Sequence, residues 1–235
     1  MRARIEELDW CDSPIGVISL RRRHDSLLGL DVYEVKIDDE FLMSSYFNAS
    51  EIALATLGLA AHPGERLSVL VGGLGLAYTA RAVLADPRVE ALTVIEAVAP
   101  VIDWQRRNLL PDTAGLAADP RCSLVHDSFF ALVAEGRAAR EYDAVLVDID
   151  HTPRNVLHPS HADFYTPEGL ARLGPLLTPE GVFGLWSDDP PDAEFEAVLA
   201  EVFTHTESHV VSFDNPVTGG ESACTIYVGR EIRRT

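Results

Sequence analysis

The sequence predicts an α/β fold: a mostly parallel sheet covered by helices on both faces, closed at one edge by a C-terminal antiparallel hairpin and preceded by a small β appendage. Three observations lead there. Short apolar runs alternate with helical stretches across residues 67–186. The first run, Val69-Leu70-Val71, breaks into Gly72-Gly73-Leu74-Gly75-Leu76-Ala77, and the next, residues 91–95, ends in Glu96, 21 residues after Gly75. Two further strand-like runs, 208–213 and 224–228, flank the turn-rich Asn215-Pro216-Val217-Thr218-Gly219-Gly220, the pattern of an antiparallel hairpin.

The elements follow in order. Over residues 15–43 apolar residues alternate in 16–20, 32–37 and 41–43 around an Asp38-Asp39 turn, which predicts a small antiparallel sheet. Residues 49–60 read as a helix capped by Asn48 or Ser50 and stopped by His62-Pro63-Gly64. Strands are then predicted at 67–71, 91–95, 123–125, 144–147 and 182–186, separated by helices at 78–85, 100–108, 129–135 and 167–176. A last helix, 193–203, precedes the hairpin. The predicted division is an appendage over 1–48 and a catalytic domain over 49–235.

Nineteen basic residues stand against 37 acidic ones, a net charge of −18. Such a chain repels phosphate backbones and anionic lipid, so nucleic acid and membrane are excluded as expected partners. Arg21-Arg22-Arg23 is the one basic run and reads as the solvated end of an early strand. No apolar run reaches the roughly 20 residues a membrane helix needs. The start, Met1-Arg2-Ala3-Arg4-Ile5-Glu6-Glu7, lacks the apolar stretch of a signal peptide, so a cytoplasmic protein is expected. Cys11, Cys122 and Cys224 are too few and too widely spaced for a disulfide framework or a zinc site, and read as buried thiols.

The glycine loop and Glu96 together mark a nucleoside site. Glycines let backbone approach a ligand that a β-carbon would block, and an acid at the tip of the second strand accepts from both ribose hydroxyls. A dinucleotide fold keeps a small third residue in G-x-G-x-x-G/A to bring the helix close to a pyrophosphate. Here that position is Tyr78, so S-adenosylmethionine or a relative is favoured over NAD. After the third strand, Asp127 is placed to accept from an adenine amino group, or else it caps the next helix, a task Ser128 performs equally well. The fourth strand runs into Asp148-Ile149-Asp150-His151. Carboxylates bunched there raise one another's pKa and make one a better base; alternatively they cap the loop before Thr152-Pro153.

These residues add up to a resemblance. The loop followed by Thr79-Ala80-Arg81-Ala82-Val83-Leu84, the run Val94-Ile95-Glu96, Asp119-Pro120-Arg121, Tyr142-Asp143 through Asp148, Phe164-Tyr165 and Leu177-Thr178-Pro179-Glu180-Gly181-Val182-Phe183 resemble, over residues 69–187, the polyamine aminopropyltransferases of the spermidine synthase group. The resemblance implies a Rossmann-like class I S-adenosylmethionine-dependent methyltransferase fold with a seven-stranded sheet, and a family that commonly forms homodimers. It implies that Gly72, Gly73, Gly75, Glu96, Ala97, Asp127 and Ser128 hold the nucleoside, Glu96 at the ribose and Asp127 at the adenine. It also implies that Asp148, with Asp150 or His151, activates a small-molecule acceptor.

Departures from the family pattern shape the functional expectation. Where the family's glycine loop carries an Asp for the amino group of decarboxylated S-adenosylmethionine, this chain has Leu76; the family's second acid is replaced by His151; and its Y-H-E motif reads Ser50-Glu51 here. Loss of the loop acid resembles the change seen in putrescine N-methyltransferases. The first expectation is therefore a methyltransferase using S-adenosylmethionine. Its alternatives are a polyamine aminopropyltransferase using decarboxylated S-adenosylmethionine, and a catalytically silent nucleoside-binding member. Asp148 with Asp188-Asp189 also resembles the cation site of catechol-type O-methyltransferases, but the solvated-loop reading is preferred and no metal is predicted.

Overall fold

A computed structural model describes residues 5–13, 16–26, 28–38, 40–137, 140–215 and 219–233. Residues 1–4, residue 15 at the head of the predicted β pattern, Asp39 of the acidic turn and 216–218 of the hairpin turn lie outside the described residues.

The chain forms two sheets. Strands β1 (Ile5–Ser13), β2 (Gly16–Asp25), β3 (Leu30–Ile37) and β4 (Glu40–Ser44) make a four-stranded antiparallel meander in sequence order. The second sheet has seven strands: β5 (Leu67–Gly72), β6 (Val89–Glu96), β7 (Cys122–His126), β8 (Tyr142–Val147), β9 (Leu177–Ser187), β10 (Phe203–Asp214) and β11 (Glu221–Ile232). Their spatial order is β10-β11-β9-β8-β5-β6-β7. Strands β5 to β9 run parallel; β11 is antiparallel to β9, and β10 to β11. From β5 the chain moves outward through β6 and β7, then returns to place β8 on the other side of β5. That reversal opens a crevice at the carboxyl ends of β5, β6 and β8, where open α/β sheets bind ligands.

Alternation along the central strands separates two cores. Val69 and Val71, Ala144 and Leu146, and Val182 face a cluster shared with α1 (Ala49–Ala60), α2 (Tyr78–Ala85) and α3 (Ala99–Arg106). Leu70, Val145, Val147, Phe183 and Leu185 face the cluster of α4 (Phe129–Ala134), α5 (Pro167–Ala171) and α6 (Ala193–Val202). Helix α1 lies close to the sheet at Gly58, where a β-carbon would come within 2.6 Å of Leu146 Cδ2.

The meander shares the first core through Ile18, Leu20, Tyr33 and Val35. It is pinned by Trp104 of α3, whose buried indole Nε1 donates to Asp9 Oδ2 at 2.8 Å. Strand β1 is an addition to the predicted appendage. The arginine run lies inside β2 rather than at a strand end, with Arg21 and Arg23 on Glu34 and Arg22 on Glu6. Of the three thiols only Cys224 is buried; Cys11 and Cys122 are half-buried. Among the described residues no helix is long and apolar enough to cross a membrane.

Candidate active site

The glycine loop is tied into its neighbours by backbone bonds: Gly73 N donates to Ile95 O at 2.9 Å, and Asp148 N donates to Gly72 O at 2.8 Å. Gly73 has φ +93°, and a β-carbon there would sit 2.1 Å from the Asp148 carbonyl oxygen. Only glycine meets both constraints. At Gly75, φ +47°, a β-carbon would stand 3.0 Å from Met43 Sδ of β4, so the appendage roofs the loop. Glu96 ends β6 and grips the loop from beneath: Leu74 N donates to its Oε2 at 2.9 Å and Val98 N to its Oε1 at 2.8 Å. Burial pushes its pKa up, while these amides pull it back.

Above the loop lies a cleft of about 640 Å³, within the range of small-molecule sites. Gly73, Gly75, Glu96 and Ala97 form one side, Asp148, Ile149 and His151 another, and Phe41, Leu42 and Met43 come from the appendage. Four carboxylates line it, Asp38, Glu40, Glu96 and Asp148, and no lysine or arginine does so among the described residues.

Asp148 follows the last residue of β8 and is half-buried in the cleft wall, where desolvation raises its pKa; the Thr79 hydroxyl, donating to Oδ2 at 2.7 Å, opposes that rise. Glu51, in the first turn of α1, is pushed up to about 8 by burial and then by the charge of Asp148. Ser50 Oγ donates to Glu51 Oε2 at 2.9 Å. Glu51 therefore keeps its proton at neutral pH, since the charge of Asp148 raises the cost of ionising it. The sequence names Glu51 only as the acid of a motif match. Its position in the first turn of a helix reaching the glycine-loop helix is the signal that marks it.

Asp150 is turned away from the cleft. It is 2 % exposed, and its carboxylate accepts from Leu157 N at 2.7 Å, His161 Nδ1 at 2.8 Å and the Tyr165 hydroxyl at 2.8 Å. His151, His158 and His161 line the cleft. The latter two lie in a 3₁₀ segment and its cap, Pro159–Tyr165, and the sequence reading passes over both.

The Spermine/spermidine synthase domain family matches residues 48–214. The chain belongs to this family. Similar curated proteins include the polyamine aminopropyltransferases of Bacillus subtilis (strain 168), 28% identical over 137 residues, and of Pyrobaculum arsenaticum, 24% identical over 173. Those alignments cover 58% and 71% of this chain but 46% and 58% of the relatives, so the chain spans about half the length of the curated proteins it matches. Spermidine synthase from Thermotoga maritima superposes with a TM-score of 0.74 at 21% identity, over 96% of this chain and 72% of that one. A probable spermidine synthase from Corynebacterium glutamicum gives 0.66 at 20% identity, over 97% and 81%. At such identities the likeness establishes the fold, a class I methyltransferase-like sheet with an N-terminal antiparallel sheet.

The comparisons correct the expectation of a methyltransferase. The curated relatives are aminopropyltransferases, and the solved neighbours are spermidine synthases. Leu76, which stands where the family carries the loop acid, is 5 % exposed, packed in the core and absent from the cleft lining.

Other residues carried over from the spermidine synthase pattern stand at the edge. Asp127 follows β7, and its carboxylate accepts from Arg137 Nη1 at 2.6 Å and from Ser128 N at 2.8 Å; the Arg137 bond depresses its pKa. Ser128 caps α4, its Oγ accepting from Ala131 N at 3.3 Å. Neither Asp127, Ser128 nor Gly72 is in the cleft lining, whereas Gly73, Gly75, Glu96, Ala97, Asp148 and His151 are. Asp188 faces Cys224, whose Sγ lies 3.6 Å from Oδ1, and the Asp189 carbonyl accepts from Thr225 Oγ1 at 2.6 Å. Among the described residues no group of three or more His, Cys, Asp or Glu is arranged to hold a metal ion.

Proposed function

We propose that this chain transfers the aminopropyl group of decarboxylated S-adenosylmethionine to a small amine. The observation that carries the reading is the sign of the cleft: four carboxylates line it, and no described lining residue is a lysine or arginine. The decarboxylated donor brings a sulfonium and an ammonium, and the acceptor amine is a further cation. Opposite charges about 4 Å apart attract by about 4 kcal/mol at an effective dielectric near 20. The carboxylate of the undecarboxylated donor would meet repulsion of the same order and no compensating cation.

In this reading Gly73 and Gly75 give backbone approach to the nucleoside. Glu96 accepts from the ribose hydroxyls beside Ala97. Asp127 and Ser128 reach the adenine once Arg137 releases the carboxylate. Asp148 holds the attacking nitrogen with His151 nearby, and Asp150 acts from behind the wall. The amine lone pair forms a bond to the methylene carbon on sulfur as the carbon–sulfur bond breaks, its electron pair leaving on a neutral thioether. The protein's work is alignment and exclusion of water, and the roof of Phe41, Leu42 and Met43 supplies the apolar cover. We also take Asn48 as the boundary between the appendage, 1–48, and the catalytic unit, 49–235.

The test is donor discrimination. Calorimetric titration with both donors should give at least tenfold tighter binding of the decarboxylated one. Mass spectrometry with 1,4-diaminobutane should show 5′-methylthioadenosine and the aminopropylated amine in equal amounts. Equal affinity for both donors, or no thioether released, would refute the reading.

A further inference from the structure

The loop after β8 contains a histidine–carboxylate pair that the family pattern does not assign. Asp150 has a side chain with no exposed surface, and His161 is 16 % exposed and lines the cleft. Their contact, His161 Nδ1 to Asp150 Oδ1, is 2.8 Å. The same carboxylate also accepts from Leu157 N and from the Tyr165 hydroxyl. Leu157 N and the Tyr165 hydroxyl both donate to this acid and hold it as an acceptor, so Nδ1 of the ring carries the proton and Nε2 the free lone pair. The ring is also clamped from the side. It stacks on Phe130 with centroids 4.0 Å apart and planes 26° from parallel, and Phe130 in turn packs against Phe129, Phe164 and Tyr165.

We propose that His161, oriented by Asp150, accepts the proton that the acceptor amine sheds before it attacks the donor. An amine enters as an ammonium, whose nitrogen has no lone pair for attack. One N–H bond breaks, its electron pair stays on nitrogen, and the proton moves to Nε2. The imidazolium so formed is balanced by Asp150. The freed amine then forms the carbon–nitrogen bond while the sulfonium carbon–sulfur bond breaks towards sulfur. One positive charge ends on His161 and one on the product ammonium, matching the two that entered.

Asp148 faces the cleft from the end of β8, with Oδ2 held by the Thr79 hydroxyl. Its part is to hold the nitrogen. A cleft-lining imidazole with a fixed tautomer is placed to take a proton from a bound amine. The titratable groups around His161 are Asp150 and Tyr165 behind the ring, His158 with its ring centroid 5.8 Å away, and His151, Asp148, Glu96, Asp38 and Glu40 in the same cleft; α4 contributes only the uncharged Phe130.

The proposal rests on the aminopropyl-transfer reading, and its test separates the two. In the intact chain, ¹⁵N-imidazole NMR should show His161 in the Nδ1–H form with bare Nε2, a readout that needs no turnover. With decarboxylated donor and 1,4-diaminobutane, His161→Gln should lower kcat roughly a hundredfold or more near neutral pH. Donor KM should stay within about twofold, the acidic limb of the kcat/KM profile should vanish, and raising the pH should restore part of the rate. A merely structural ring would lower rates evenly across pH. An Nε2–H tautomer, or a variant that keeps the acidic limb, overturns the proposal while leaving aminopropyl transfer intact. A wild-type chain inert with this donor overturns both.

Discussion

The Thr79 hydroxyl donates to Asp148 Oδ2 at 2.7 Å across 69 residues of sequence, joining the first turn of the glycine-loop helix to the end of β8. This bond favours the ionised carboxylate against the pull of burial. Thr79→Val should therefore raise the Asp148 pKa further and cost about 1 kcal/mol, a several-fold loss of transfer rate at neutral pH. Thr79→Ser should recover it. Rates measured across pH check this: a Val variant with the parent profile would detach the hydroxyl from Asp148.

Glu51 makes stability depend on pH in the direction opposite to an ordinary surface carboxylate. Its folded pKa is raised from 4.5 to about 8, so between those values the folded chain keeps a proton that the unfolded chain has lost. Stability then falls as pH rises through that window, and Asp148, whose pKa is also raised, acts in the same direction. Glu51→Gln removes the titrating group and keeps the shape. Its melting temperature should exceed the parent's by a margin that is small near pH 5 and grows by pH 8.5. A margin independent of pH would refute the assignment.

Gly73→Ala should be far more damaging than Gly75→Ala. The first puts a β-carbon 2.1 Å from a backbone oxygen that β8 fixes, and the second puts one 3.0 Å from the end of a flexible methionine. We expect Gly73→Ala to lose about 2 kcal/mol or more of stability together with nucleoside binding. Gly75→Ala should be partly rescued by Met43→Ala. Urea denaturation and donor titration on the three variants decide it.

Arg137 competes for Asp127. If Asp127 serves the adenine, Arg137→Gln should tighten nucleoside binding several-fold, and Asp127→Asn should weaken it. Unchanged affinity in both variants would leave Asp127 as a surface ion pair, and such pairs contribute about 0–1 kcal/mol.

Much of this architecture is legible in the chain because it rests on periodicity. The runs that become β5, β6 and β8 are apolar on both sides, as strands covered by two helical layers must be, and α1 and α2 have the predicted bounds. Strand β1 is not legible. Glu6, Glu7, Asp9 and Asp12 interrupt its apolar residues, and it exists because Arg22 pairs with Glu6 and Trp104 with Asp9. Glu96 and Asp148, read from strand ends, line the cleft because the backbone itself delivers them, whereas Asp127, read the same way, does not line it. His161 escaped notice because a loop residue 13 positions beyond Asp148 has no periodic signal; only Asp150 and Phe130 give it an orientation.

The chain by itself therefore determined the sheet, its glycine crossing, the acids at its strand tips and the family to which they belong, since each depends on neighbours within a few residues. Folding in three dimensions decided what those acids do. Asp148 and Asp150 are two residues apart, yet one lines the cleft and meets Thr79 while the other meets Tyr165 away from it, and Leu76 sits in the core rather than in the cleft lining. The physical reason is that a side chain's charge state and partners come from burial and from groups tens of residues away, which no local pattern encodes.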